Sequence, residues 1–398
     1  MGATLTIPVE TNAAEIQRIF QLQQKNQYAV ANTTTAQRKA KLTKLHKAVM
    51  KYRPEIKEAL YKDFKKHPAE VDLTEVYPVT SDIKHTKSHL RSWMRKHRVP
   101  TPISIMGSSS YIKYEPKGVV LIIAPWNFPV NLTFGPLVSA IAAGNTVMIK
   151  PSEHTPHASA IMKKIIEEIF DENEIALFEG GVATSQALLD LPFNHIFFTG
   201  APSIGKIVMS AAAKNLTSVT LELGGKSPTI IDETANIDTA ARRIAWGKYM
   251  NNGQICIAPD YIFVHESKKE AFIKAVKAYI KKFYTEDASK EKSYARMVNS
   301  RHHQRVKGYV EDAIAKGATV EAGANFDDQQ DYIEPTIMTN VSKESTLMTE
   351  EIFGPVMPVY GYTDLKQVVD EINSREKPLA LYIYSNCLLY TSPSPRDS

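Results

Sequence analysis

Apolar residues recur along the first hundred positions at helical spacing. Leu42, Leu45 and Val49 share one face, and Ile56, Leu60 and Phe64 share another, the repeat of an amphipathic helix. Thr33–Thr35 offer N-cap side chains before the first run, and Pro54 suits the opening turn of the next. Residues 12–98 therefore read as helices, a pattern that Pro100 and Pro102 break. Ser108–Ser110 followed by Tyr111-Ile112-Lys113-Tyr114 then reads as a loop and an exposed strand. It is either an arm reaching to another domain or subunit, or a simple linker hairpin.

From residue 118 the pattern changes. Val119–Ala124, Thr146–Ile149, Ile175–Phe178 and His195–Phe198 are short apolar runs suited to buried strands. Helical stretches such as Pro136–Ala143 and Ala158–Phe170 lie between them. Residues 231–386 repeat the alternation, with strands at Tyr261–Val264 and Leu379–Tyr384 and helices at Glu270–Phe283 and Leu365–Ile372. Such alternation predicts an α/β fold built from βαβ units around parallel sheets. Ligands of these sheets sit outside the carboxyl ends of the strands.

Composition narrows the class. A chain of 398 residues favours two domains, and one this long buries most of its apolar surface without disulfides. Its two cysteines, Cys256 and Cys387, make no disulfide framework and suit a reducing compartment. The net charge is +5, with basic residues gathered in Arg38–Lys66 and Lys84–Arg98 among helical apolar positions. That mixture reads as solvated helix faces, not as a stripe for nucleic acid. The N-terminal run MGATLTIPVETNAAEIQ has neither an apolar signal core nor a basic leader. Met1-Gly2 with Thr6 is only a faint myristoylation signal. The longest apolar stretch, Gly135–Ile149, is interrupted by Ser139, Asn145 and Thr146 and is too short to span a membrane. A cytoplasmic enzyme is the expectation.

Six segments carry candidate chemistry. Ala124-Pro125-Trp126-Asn127-Phe128-Pro129 follows a strand, so Asn127 could donate into a cleft or simply serve the turn. Lys150-Pro151-Ser152-Glu153 could hold ribose hydroxyls, or form an exposed turn with Ser152 capping the next helix. In Phe198-Thr199-Gly200-Ala201-Pro202-Ser203-Ile204-Gly205-Lys206 a glycine after a strand precedes a helix start, which favours a pyrophosphate. Pro202 departs there from the usual glycine-rich fingerprint. Glu222, between Leu221 and Leu223, would become a stronger base if buried, and would be inert on the wet face of an edge strand. Cys256, in Asn252-Gly253-Gln254-Ile255-Cys256-Ile257-Ala258-Pro259, is a core residue or a nucleophile. In Glu350-Glu351-Ile352-Phe353-Gly354-Pro355-Val356, Glu351 and Phe353 point the same way if the segment is extended.

Taken in order and spacing, these six segments resemble the aldehyde dehydrogenase superfamily, over about residues 12–386. The short N-terminus, the run PWNFPVNLTFGPLVSAIAAGNTVMIKPSE and the Ile-Ala-Pro-Asp-Tyr after Cys256 resemble its class 3 branch, which takes fatty and aromatic aldehydes. The resemblance implies a Rossmann-like cofactor domain at 1–99 and 117–223, a bridging arm at 100–116 and a catalytic α/β domain at 224–386. It implies Cys256 as nucleophile, Glu222 as general base and Asn127 as the side-chain half of an oxyanion hole. On the cofactor side it implies Trp126, Lys150, Ser152, Glu153, Gly200, Ser203, Gly205, Glu351 and Phe353. The cofactor would be NAD, with NADP as the alternative, since Glu153 suits a 2′-hydroxyl while Lys150 beside it suits a 2′-phosphate. No metal is implied, and no His/Cys ligand cluster is visible. The partners implied are a small aldehyde and a second copy of the chain, with a membrane anchor left open.

Residues 387–398 depart from the family pattern. Cys387-Leu388-Leu389-Tyr390 runs into a Pro/Ser-rich end where the family carries a glycine-rich substrate loop and a last bridging strand. This departure reads as foreign to the design and touches dimerisation, the pocket wall and stability more than the chemistry. Two other readings follow: an inactive chain that only binds nucleotide, and a cofactor-independent cysteine esterase, which would leave Lys150, Glu153, Glu351 and Phe353 idle.

Overall fold

The computed structural model describes residues 10–387. Both the start considered for myristoylation and the Pro/Ser-rich end lie outside the described residues. The chain folds as two compact units. One comprises the residues up to Asp63 and Pro68–Glu222; the other comprises Phe64–His67 and the residues from Leu223 onward.

The first unit opens with helices Ala13–Ala31, Thr35–Lys51, Arg53–Phe64 and Tyr77–Trp93. Of the three candidate threonines, Thr34 is the cap, in a capping box with Gln37. Leu42, Leu45, Val49, Ile56 and Leu60 are fully buried, so the helical repeat is the core face. The basic run is not wholly solvated. Arg38 is buried and donates to the carbonyls of Ala142 and Ala31. Strands β1 (His97–Val99) and β2 (Ser110–Ile112) form an antiparallel hairpin.

Strands β3 (Val119–Ile123), β4 (Thr146–Lys150), β5 (Ile175–Leu177), β6 (His195–Gly200) and β7 (Ser218–Leu223) form one sheet in the order 5-4-3-6-7. Strand β3 runs parallel to β4 and β6. The order reverses at β3, which opens a crevice beyond the carboxyl ends of β3 and β6. The helix expected from Pro136 starts at Pro129 instead and carries Pro136 inside it. Its true start is set from outside. The buried carboxylate of Glu75 accepts the Val130 and Asn131 amides at 3.0 and 2.9 Å, which compensates the first unpaired N–H groups of the helix.

In the second unit, strands β8 (Pro228–Ile231), β9 (Tyr261–His265), β10 (Thr319–Ala322), β13 (Thr336–Thr339), β14 (Val356–Tyr362) and β15 (Tyr382–Tyr384) form a sheet ordered 10-13-14-9-8-15. Between β10 and β13 in the chain, β11 (Phe326–Asp327) and β12 (Tyr332–Ile333) make a small antiparallel pair. Only β10 joins the six-stranded sheet antiparallel. Ile231, Ile262 and Val359 face helices Ile237–Tyr249 and Lys269–Tyr284. Ile230, Tyr261 and Phe263 face helix Ser300–Ala315. Both faces are covered, as a parallel sheet requires. Strand β15 begins at Tyr382, later than expected, since its pairing with β8 starts only there, opposite Thr229.

Candidate active site

The first unit gathers several candidate residues at the carboxyl ends of its strands. After β3 the chain passes through Trp126 to Asn127, which is buried just before the helix that Glu75 caps. At the end of β4, Lys150 is nearly enclosed and its ammonium sits 2.8 Å from the Glu153 carboxylate. The Lys150 charge holds the Glu153 carboxyl below its ordinary range against the opposing effect of burial. Ser152 is buried and its hydroxyl accepts the His154 amide at 3.2 Å. It does not cap the next helix, Pro156–Ile169, as one reading had it. That end is held by Asp63, which accepts the His157 and Ala158 amides.

Gly200 closes β6, and helix Pro202–Ala213 begins two residues later with no side chain capping it. Ser203 is exposed in its first turn, whereas Gly205 is buried. Glu222 lies on β7, the edge strand of the sheet, and is exposed, while Leu221 and Leu223 are half-buried. The burial that would strengthen it as a base is therefore not met in this structure: at an edge, the alternation turns Glu222 to water.

In the second unit, Cys256 stands on a tight turn closed by a hydrogen bond from the Ala258 amide to the Ile255 carbonyl at 3.0 Å. Cys256 is partly exposed, unlike a core cysteine. Gln254, wholly buried, fixes the approach to it. Its amide donates to the carbonyls of Asn251 and Arg296 at 2.9 and 3.0 Å, and its carbonyl oxygen accepts the Val298 amide at 3.0 Å. Asn251 and Asn252 both adopt left-handed backbone, a conformation asparagine tolerates better than most residues. At Gly253, where φ is +72°, a Cβ would overlap the carbonyl of Gly354. Glycine is therefore required where the Cys256 loop meets the Glu351–Phe353 segment.

That segment is held by charges. Lys226 pairs with Asp260 and donates to the carbonyls of Leu347 and Glu350 at 2.7 and 2.9 Å. Asp260 accepts the Ile352 amide at 3.0 Å. Arg305 donates to the carbonyls of Glu351, Ile352 and Phe353 at 3.3, 3.0 and 3.3 Å. Phe353 is in the left-handed region at φ +43°, a costly conformation for an aromatic residue. The Glu351 carboxylate lies against Gly224, where a Cβ would overlap it, and accepts the Gly225 amide.

Burial pushes the Glu351 carboxyl up to about 7. Its folded value lies above its ordinary 4.5, so the native state holds the proton more tightly than the unfolded chain does. Stability is therefore lost as pH rises from 4.5 to about 7. Glu351→Gln removes that loss. Its stability advantage over the parent chain, read as a difference in denaturation midpoint, should grow across that window and then level off. A difference that stays flat with pH would contradict this account of the group.

The chain is similar to known proteins over most of its length. The model of the aldehyde dehydrogenase family matches residues 3–389. The chain belongs to the aldehyde dehydrogenase family. It is 45% identical over 348 residues to the 4,4'-diaponeurosporen-aldehyde dehydrogenase of Staphylococcus aureus, covering 87% of this chain and 75% of that one. It is 45% identical over 312 residues to the dimeric NADP-preferring aldehyde dehydrogenase of Rattus norvegicus, covering 78% and 68%. The substrate-bound AldH of Staphylococcus aureus superposes at TM-score 0.91 with 42% identity, covering 94% of this chain and 81% of that one. As an aldehyde dehydrogenase the chain is an NAD(P)-dependent enzyme that oxidises aldehydes to carboxylic acids.

The first unit's residues fit such a cofactor. The uncapped helix start after Gly200 presents amide donors suited to a pyrophosphate. Lys150 and Glu153 offer a donor and an acceptor side by side at the end of β4. Among the described residues there is no group of His, Cys, Asp and Glu that could hold a metal ion. Nor is any helix among them long and apolar enough to cross a membrane.

Several contributors had no signal in the linear sequence. Glu75 reaches a helix 55 residues away, and Arg305 reaches carbonyls more than 40 residues away. Lys248 is fully enclosed at the end of the helix before the Cys256 loop, and burial brings its ammonium down to about 8. Its position as the fourth residue before Asn252 in a helical run gave no hint of burial, because lysine on a helix is ordinarily a solvated residue. Asp260 could have been suspected, as an acid flanked by Pro259 and the apolar strand Tyr261–Val264.

Proposed function

We propose that the Cys256 thiolate attacks the aldehyde carbon and that the resulting oxyanion is stabilised by the Asn127 side-chain amide and the Cys256 backbone N–H. Cysteine is the most reactive side-chain nucleophile near neutral pH, and the adduct is a thiohemiacetal. The chemistry that bound NAD(P) supplies is acceptance of the hydride released when that adduct becomes a thioester. Glu222 takes a proton from the water that hydrolyses the thioester, freeing the carboxylic acid and the thiol. Glu351 would accept from a ribose hydroxyl, Phe353 would brace the nicotinamide, and Lys150, Ser152 and Glu153 would meet the adenosine ribose. Trp126, Gly200, Ser203 and Gly205 would line the remaining approach.

The observation that carries this reading is the partly exposed Cys256 on a turn anchored by the buried Gln254. Medium or long aliphatic and aromatic aldehydes are the proposed substrates, in keeping with the diaponeurosporen-aldehyde named for the Staphylococcus aureus relative. In the same reading residues 1–99 and 117–223 form the cofactor domain, 224–386 form the catalytic domain, and 100–116 form an arm that pairs two copies. Ile103, Met106 and Tyr114 are exposed there, at 89, 86 and 72%, which suits a surface that another chain covers.

The test is formation of reduced nicotinamide from octanal and benzaldehyde, with NAD and with NADP. Turnover with either cofactor supports the assignment, and its absence in a folded, NAD-binding chain contradicts it. In the same assay Asn127→Ala should lower kcat about 10²–10³-fold, the usual loss for one oxyanion donor. A variant with unchanged kcat would remove Asn127 from the oxyanion site.

A further inference from the structure

The turn carrying Cys256 is secured on its inner side by Gln254 and by the Ala258–Ile255 hydrogen bond. Its other central peptide is secured from a different strand. The phenol of Tyr382 donates to the Ile257 carbonyl at 2.5 Å. Tyr382 opens β15, where it pairs with Thr229 of β8, so the anchor is part of the sheet and not of a loop. It belongs to the same compact unit as Cys256. Burial first, and the charge of Cys256 second, push the Tyr382 hydroxyl up. The phenol thus keeps its proton to donate, and it lies within electrostatic reach of the sulfur.

We propose that Tyr382 is a positioning residue for the nucleophile turn, orienting the Cys256–Ile257 corner through its hydrogen bond to the Ile257 carbonyl. The inference rests on the reading of Cys256 as nucleophile. A carbonyl left without a donor beside a thiolate presents negative potential to it; a carbonyl that accepts from a phenol presents less. Tyr382 therefore favours both the placement and the ionisation of the sulfur. No substrate contact is required of it.

Tyr382→Phe removes the donor and keeps the ring. The rate of Cys256 alkylation by iodoacetamide, followed across pH by the mass of the Cys256 peptide, should shift its midpoint upward, because only the thiolate reacts. The same variant should lower kcat about 3–10-fold, the usual range for one hydrogen bond, with KM for NAD unchanged. A fluorotyrosine introduced at the same position is a stronger donor of nearly the same shape and should move the midpoint down. An alkylation midpoint unmoved in both proteins overturns the proposal, even if kcat or thermal stability falls, since a purely structural strand residue would produce that outcome. Alkylation is read without turnover, so the result stands apart from the catalytic assignment. That assignment fails separately if Cys256→Ala keeps full turnover.

Discussion

Cys256→Ala is expected to abolish aldehyde oxidation, lowering kcat by at least about 10⁴-fold, while the chain stays folded and still binds NAD. Losing a nucleophile removes the covalent route itself, and effects of this kind reach about 10⁶-fold in well-characterised hydrolases. The fold should tolerate the change. Cys256 is partly exposed, and the turn around it is fixed by Gln254 and by main-chain bonds that alanine retains. Cys387, the other thiol, is the internal control: it lies past β15 with its amide bonded to the Ser385 hydroxyl, so Cys387→Ala should keep turnover. The measurement is reduced-nicotinamide formation with octanal, with NAD binding followed by quenching of protein fluorescence. Turnover surviving in Cys256→Ala would sink the nucleophile assignment. Ester hydrolysis in the parent chain without NAD, combined with no aldehyde turnover, would favour the esterase reading instead.

How far the sequence revealed these parts depends on whether the signal was local. The helical repeats of Leu42, Leu45 and Val49 and of Ile56 and Leu60 were legible because burial imposes a local period. So were β3, β4 and β6, as apolar runs ended by turn residues. The start of the helix at Pro129 was not legible, since its amides are met by Glu75 from a distant segment. The left-handed Phe353 was also invisible. An aromatic residue in that conformation contradicts its own preference and persists only because Arg305, Lys226 and Asp260 hold the surrounding carbonyls and amides. Cys256 was ambiguous even within Asn252-Gly253-Gln254-Ile255, and only its place in the order of the six segments pointed to a nucleophile. Gly253 must approach Gly354, and Gln254 must be buried. Glu222 shows the limit in the other direction. Leu-Glu-Leu alternation fitted both a buried base and an edge strand, and the structure has the edge strand.

That exposed position makes Glu222→Gln the more informative of the catalytic substitutions. If Glu222 activates the hydrolytic water, Gln leaves thiohemiacetal formation and hydride release intact and stalls the thioester. The expected time course is a burst of about one reduced nicotinamide per active Cys256, followed by a steady rate lowered about 10²–10⁴-fold, the range for one general base. Rapid-quench kinetics would show the burst, and intact mass would show the acyl group on the chain. The fold should not interfere, because Gln keeps the size of the side chain and the position faces solvent, with Leu221 and Leu223 supplying the packing on either side. A linear time course at the parental rate would dismiss Glu222 from the mechanism. Loss of the burst together with the steady rate would place its action earlier, at the thiol instead of the water. Either result would also shift attention to Glu351, the carboxyl of the second unit that burial pushes up to about 7. It is poised to hold or release a proton at neutral pH, and it belongs to the same compact unit as Cys256.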